Sequence, residues 1–373
     1  MEMRHSSPLG KDTSLLGFGC MRFPLRQDGK EVDYPLAEAL VDRAIAGGVN
    51  YFDTAWPYHE GVSESVIGKI LAKYPRNSFY LADKAPTWEI RSARDAERIF
   101  AEQLRKCRVE YFDFYLLHCL TVNFYKIAQQ AGLYDLLRKK KEQGLIRHLG
   151  FSFHDSVRLL EQIVADHEWD FAQIQLNYID WDVIESERQY NLLTEHGIPV
   201  VIMEPVRGGS LATLNPEALS IFERAAPAAS PASWAIRFAA SLPNVITVLS
   251  GMSNMRQVED NLHTMTPFVP LSETEHDTIR VAATAFKASG AIACTGCRYC
   301  MDCPSGVNIP RVFAIYNHYC TSKSRIHFDH NYRSLKNTEQ ADQCTTCGEC
   351  MQHCPQGIAI PDKMREIAEF VDR

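Results

Sequence analysis

An apolar run at 49–52 ends on a carboxylate, Asp53, and a turn containing Pro57 then presents a phenol, Tyr58. Two later apolar runs end in the same manner. Residues 79–82 lead through Asp83 to the amine of Lys84, and 112–117 lead to the imidazole of His118. These four groups are the ones general acid–base chemistry uses, and parallel α/β folds gather their chemistry at the carboxyl ends of strands. A lone Asp at a strand end is usually a cap and a lone Lys is usually solvated. Four such groups at three successive strand ends point to a catalytic site. A second chemistry lies in the cysteines, because eight of the twelve fall between Cys294 and Cys354. A secreted disulfide scaffold would scatter them, whereas clustering points to metal binding.

The elements that must position these groups alternate in type. Short apolar strands are expected at 15–20, 51–54, 79–84, 112–118, 148–153, 171–177, 199–204 and 245–250. Amphipathic helices are expected at 35–46, 64–72, 93–106, 133–141, 156–165, 184–195, 232–241 and 257–264. Eight βα units imply a parallel sheet closed into a (β/α)8 TIM barrel. A last helix at 273–288 ends at Ser289-Gly290, which sets the expected division into a barrel, 1–290, and a small α-helical domain, 291–373. Gly17 and Gly19 do not open a dinucleotide-binding loop. Arg22 stands where a third glycine belongs, and Pro24 precludes an immediate helix.

The second cysteine cluster, Cys344-x2-Cys347-x2-Cys350-x3-Cys354-Pro355, has the spacing of the bacterial ferredoxin run. The first, Cys294-x2-Cys297-x2-Cys300-x2-Cys303-Pro304, is one residue shorter in its last gap. In such runs three close thiolates hold one cubane and the fourth crosses to the other. That logic groups Cys294, Cys297 and Cys300 with Cys354, and Cys344, Cys347 and Cys350 with Cys303, for two [4Fe-4S] clusters. The trailing segments at 306–310 and 357–361 repeat each other, and the module resembles a dicluster ferredoxin. Two structural zinc sites are the alternative, although zinc sites usually take pairs of Cys-x2-Cys across a longer loop. Cys20, Cys107 and Cys119 read as packing, and Cys320 as a non-ligand. The basic stretch 323–336 reads as a solvated connector.

Residues 14–264 resemble the aldo-keto reductases. The resemblance rests on Gly17-Phe18-Gly19, Asp53-Thr54-Ala55, Tyr58, Gly61-x-Ser63-Glu64, Lys84, Leu117-His118, Gly150-x-Ser152, Gln175 with Tyr178, Glu204-Pro205 with Gly208-Gly209, and the segment 251–261. It implies a cytosolic NAD(P)H-dependent carbonyl reductase with the cofactor extended across the barrel mouth. In that reading Tyr58 is the general acid, and Lys84 lowers its pKa. Asp53 holds Lys84 charged, and His118 orients the substrate oxygen. Ser152 and Gln175 match the family's carboxamide ligands, and Met203 occupies the position that stacks on the nicotinamide ring. Ser250, Gly251, Met252, Gln257 and Asn261 fall in the last cofactor segment. The usual cations for a 2′-phosphate align with Gly251 and Gln257, so Arg207 or Arg256 would substitute. NADPH, NADH and a flavin all stay open. Trp56, Trp88, Phe124 and Trp181 are candidates for an apolar substrate wall or for packing at the rim.

A net charge of -7 argues against a nucleic-acid groove or an anionic membrane surface. No apolar run is long enough to span a bilayer, and residues 1–10 lack the core of a signal peptide, so a cytoplasmic protein is expected. The two halves pose a problem of electron count. Nicotinamide moves hydride, whereas [4Fe-4S] clusters pass single electrons. The clusters are therefore structural or oxygen-sensing, or they take electrons from a ferredoxin or other external donor, or the chain is an electron-transfer adaptor.

Overall fold

A computed structural model describes residues 1–27, 29, 31–301 and 303–372. The chain forms two compact units, one comprising Met1–Pro205 with Ala235–Leu271 and the other Val206–Trp234 with Ser272–Arg373.

In the first unit a short antiparallel hairpin, β1 (Met3–Ser6) and β2 (Lys11–Ser14), precedes the barrel. The barrel strands are β3 (Leu16–Gly19), β4 (Tyr51–Asp53), β5 (Tyr80–Ala85), β6 (Phe112–Leu120), β7 (Ile146–Phe153), β8 (Phe171–Gln175), β9 (Val200–Met203) and β10 (Val245–Ser250). They pair in sequence order, all parallel, and β10 closes on β3 to complete the eight-stranded barrel. The strands are largely buried and so read as predominantly apolar runs; β6 is buried at every position. The helices return where the sequence punctuates them. Ser92 caps Ala93–Cys107 by accepting from the Asp95 amide, and Arg108 ends that helix in the left-handed region at φ 56°. Gly68 lets Ser63–Leu71 approach that helix, since a Cβ there would lie 2.5 Å from the Lys106 carbonyl.

The hairpin has no counterpart in the sequence reading. It is held by Thr13 donating to the Ile246 carbonyl at 2.7 Å, and its turn sends Leu9 into a core cluster with Tyr51, Phe114 and Phe171. Leu9 thus plugs the amino-terminal end of the barrel.

In the second unit, helices Pro216–Ala225 and Glu273–Lys287 are tied by Asn215 donating to the Ala285 carbonyl at 3.2 Å. Helices Ile309–Ser322 and Ile360–Val371 start at equivalent places after the two Cys-Pro ends, each with Pro in its first turn. The repeated Val307/Ile309 and Ile358/Ile360 pairs are buried in one core with Val312, Phe313, Met364 and Ile367. The stretch expected to be a solvated connector is instead largely helix Arg325–Arg333, capped by Ser324. Phe328 and Tyr332, one turn apart, face the core, and the Arg325 guanidinium donates to the Phe370 and Val371 carbonyls. Two aromatics at helical spacing outweighed the basic composition.

Candidate active site

β4 and β5 deliver Asp53 and Lys84 to the carboxyl-terminal end of the barrel, and the turn after β4 returns Tyr58 over them. Lys84 Nζ donates to Asp53 Oδ1 at 2.6 Å, to the Thr54 carbonyl at 2.8 Å and to the Tyr58 hydroxyl at 3.3 Å. Lys84 is only 1% exposed and Asp53 3%. β6 brings His118 edge-on to the Tyr58 ring, with centroids 6.1 Å apart. The four groups therefore meet in one buried cluster with only the Tyr58 edge near solvent.

Burial sets the electrostatics. It raises the Asp53 carboxyl above the ordinary carboxylate range, while Lys84 pulls it back. The Tyr58 phenol is pushed well above its ordinary ~10 by burial first, then by the negative charges of Asp53 and Glu204. The lowering by Lys84 that the sequence suggests does not emerge, because desolvation and two carboxylates outweigh one amine that is shared with Asp53. His118 is held well below its ordinary value by burial and then by Lys84, so it is a neutral imidazole at physiological pH. The cluster is suited to give up a proton from Tyr58 and to polarise an oxygen from His118.

Trp88 lies 5.1 Å from the His118 ring and 5.7 Å from Phe124, so these two aromatics wall the site. Trp181 packs against Phe238 at 5.3 Å as part of the rim. Trp56 is held by Glu89 at 3.0 Å and covered by Lys106. Cys20, Cys107 and Cys119 are all buried in the first unit.

The residues matched to a cofactor occupy the mouth of the barrel. Ser152 accepts from the Cys119 amide at 2.8 Å, and Gln175 donates to Asp180 at 2.7 Å. Asn261 donates to Ser250 at 2.8 Å, while Met203 ends β9 with its sulfur 3.7 Å from Gln173 Nε2. Met252 is buried. Gln257 accepts from the Ser253 amide at 2.7 Å and so helps cap helix Met255–Thr264, whose N-cap is Asn254. Arg256 is exposed and Arg207 belongs to the second unit. The cation over this segment is Arg22, which the sequence reading set aside. Its side chain fills the space where a Cβ on Gly251 would stand, its carbonyl accepts from Ser253 at 2.7 Å, and its guanidinium is 3.6 Å from Glu204. The only sequence signal for it is an arginine five residues after the first glycine of β3. The Arg22 guanidinium, beside the N-terminus of helix Met255–Thr264, fits a dinucleotide phosphate.

In the second unit the thiols gather in the foursomes expected from the spacing. Cys300, pushed up to about 12 by burial, feels Cys297, Cys294 and Cys354 around it. Cys350, pushed up to about 11 by burial, feels Cys344, Cys303 and Cys347. Cys303, Cys344, Cys347 and Cys350 line one cavity with Val307, Ile360 and Met364. Among the described residues no three His, Cys, Asp or Glu side chains converge tightly enough for a single ion. Cysteine thiols gathered in fours are the donor set that an iron–sulfur cluster takes. Cys320 stands apart from both foursomes, its thiol 3.8 Å from the Gly290 carbonyl.

A closed βα barrel with a buried Asp–Lys–Tyr–His cluster, joined to a cysteine-rich helical module, defines an oxidoreductase of mixed architecture. Residues 15–283 match the aldo/keto reductase family and residues 293–359 match a 4Fe-4S dicluster domain. The chain belongs to the aldo/keto reductase family and carries a C-terminal ferredoxin-like 4Fe-4S domain. It is 27% identical over 285 residues to an uncharacterized oxidoreductase, YqkF, of Bacillus subtilis, covering 67% of this chain and 87% of that protein. It is 26% identical over 305 residues to the L-galactose dehydrogenase of Arabidopsis thaliana, covering 76% and 94%. Among solved structures, the apo form of an aldo-keto reductase from Bacillus halodurans superposes with a TM-score of 0.60 at 26% identity, covering 76% of this chain and 96% of that one. A Klebsiella pneumoniae aldo-keto reductase in complex with NADPH shares the fold at 18% identity and a TM-score of 0.62, over 76% and 96%. No described helix is long and apolar enough to cross a membrane.

Proposed function

We propose that the barrel, within a division near residue 290, reduces an aldehyde or ketone with NADPH or NADH. The observation that carries this reading is the Lys84 amine lying 2.6 Å from Asp53 and 3.3 Å from the Tyr58 hydroxyl, with neutral His118 beside the same phenol. A bound nicotinamide would supply the hydride. Tyr58 donates the proton to the developing alkoxide, His118 donates a hydrogen bond that orients the same oxygen, and Lys84 compensates the phenolate left behind. Asp53 holds Lys84 in place. The Tyr58 phenol, displaced upward by burial, stays a protonated donor at neutral pH. Trp88 and Phe124 wall the carbonyl's substituent. Ser152, Gln175 and Asn261 would hold the cofactor, and Arg22 would approach its phosphates, with Ser250, Gly251, Met252 and Gln257 supplying the surrounding backbone. The NADPH complex of the Klebsiella protein and a 27%-identical NADH-specific methylglyoxal reductase of Escherichia coli, matched over 183 residues, support both the cofactor and the substrate class.

Two [4Fe-4S] clusters, one on Cys294, Cys297, Cys300 and Cys354 and one on Cys303, Cys344, Cys347 and Cys350, occupy the second unit in this reading, in a cytoplasmic protein. Their grouping into two foursomes favours one further reading. Two adjacent one-electron centres are what a conduit from an external ferredoxin needs, with a flavin as the converter between one and two electrons. An anaerobic NADPH titration of the purified protein separates the two. Nucleotide binding with cluster absorbance unchanged supports the reductase with clusters in a separate role. Bleaching of the clusters would mean that hydride equivalents reach them through an electron-splitting cofactor such as a flavin, and no nucleotide binding at all would favour the conduit from an external ferredoxin.

A further inference from the structure

A second phenol, which the reaction does not use, lies on the strand that carries Asp53. Tyr51 precedes Asp53 by two residues on β4, so both side chains point to the same face, the barrel interior. Tyr51 is fully buried, its ring 4.9 Å from Phe114 and lying across Gly17, where a Cβ would come within 3.4 Å of it. It belongs to the core cluster that Leu9 plugs from below, so no solvent reaches it from that end. Its hydroxyl has no hydrogen-bond partner among the described residues, and neither has the second carboxylate oxygen of Asp53, Oδ2. One is a donor and the other an acceptor, both buried, on adjacent same-face positions. Buried polar atoms in such pairs are satisfied directly or through one internal water, and leaving them unpaired is costly.

We propose that Tyr51 is a positioning residue, its hydroxyl holding Asp53 Oδ2 through one internal water and so fixing the carboxylate that anchors Lys84. Oδ1 is committed to Lys84 at 2.6 Å, and the bridge gives Oδ2 its own donor. The two contacts together fix the carboxylate plane, and with it the Lys84 amine beneath Tyr58. The inference deepens the reading of Asp53 as the anchor of Lys84, but its test does not depend on turnover.

Tyr51→Phe removes only the hydroxyl. If the hydroxyl makes no bond, deleting a buried unsatisfied group leaves the fold as stable or more so. If it holds Asp53, the variant melts lower. The charged and titratable groups facing Asp53 are Lys84 from β5, Asp83 from the same strand, Tyr58 from the following turn and Cys20 from the segment after β3. None of these is changed by the substitution. Loss of a donor to the carboxylate raises the Asp53 pKa further above its unfolded value. A carboxyl raised in the fold is destabilising in its ionised form, so the penalty fades as acid protonates it and is full at neutral pH. The expected result is a melting-temperature deficit for Tyr51→Phe that grows as pH rises through the raised Asp53 pKa and loses that pH dependence in an Asp53→Asn background. A variant as stable as the parent, a deficit constant across pH, or an equal pH dependence in the Asp53→Asn background would each overturn the proposal.

Discussion

Lys84→Met tests the buried cluster most severely. The substitution keeps the length and apolar stem of the side chain but removes the amine that bonds Asp53 at 2.6 Å, the Thr54 carbonyl at 2.8 Å and Tyr58 at 3.3 Å. Both partners of the ion pair are buried, so the pair is not screened as surface bridges are. Removing one member of a buried pair and leaving the other charge uncompensated costs about 3–5 kcal/mol. For a chain of this size that is on the order of 10 °C in the melting temperature of the barrel. The sign with pH follows from Asp53. Burial already raises its folded pKa, and without Lys84 nothing offsets that, so the carboxyl neutralises more readily. The deficit is therefore largest near neutrality and shrinks as pH falls through the raised pKa. Lys84→Met/Asp53→Leu, which removes both charges, recovers most of the loss. Thermal melts of parent, single and double variants across pH, followed by far-UV circular dichroism with cluster absorbance recorded separately, provide the assay. A Lys84→Met protein that melts within a degree or two of the parent at neutral pH, or whose deficit deepens in acid, would refute the argument.

Four further outcomes follow from the geometry. Tyr58→Phe should abolish aldehyde reduction, by roughly a hundredfold or more, while nucleotide binding measured by fluorescence is kept. In the parent, the alkaline fall of kcat should lie above the ordinary tyrosine range, because the proton-donating phenol is pushed upward; a fall near neutrality would count against Tyr58 as the acid. Arg22→Ala should weaken NADPH binding roughly tenfold or more, as loss of a charge-assisted contact does, and equal or unchanged affinities in parent and variant would remove Arg22 from the cofactor site. Cys347→Ala should lower the iron content from about eight toward about four per chain and leave one cluster signal in electron paramagnetic resonance; unchanged iron would contradict its place in the foursome.

The barrel was legible because its parallel strands are largely buried, and buried strands such as β6 appear in the sequence as predominantly apolar runs between turn signals. The 4Fe-4S domain was legible because thiolate spacing is a local property. The hairpin β1–β2 was not, since its strands are short, half-polar and stabilised by distant carbonyls such as that of Ile246. Helix Arg325–Arg333 was hidden by its charge, although Ser324, Phe328 and Tyr332 carried the cap and the apolar spacing. The protonation of Tyr58 was misjudged for a different reason. Sequence shows that Lys84 is near, but only the packed structure shows how completely the phenol is buried and that Glu204 acts on it. Arg22 illustrates the same limit, because its position over Gly251 depends on β10 closing beside β3.

The central claim, that this barrel transfers hydride to a carbonyl, is tested most directly by isotope. Anaerobic turnover of an aldehyde with NADPH deuterated on the transferring face of C4, followed by mass spectrometry of the alcohol, should show one deuterium on the carbinol carbon, and the label should vanish with Tyr58→Phe. Reduced product that carries no deuterium, formed while the iron–sulfur absorbance bleaches and recovers, would show that the electrons arrive singly and would contradict the account.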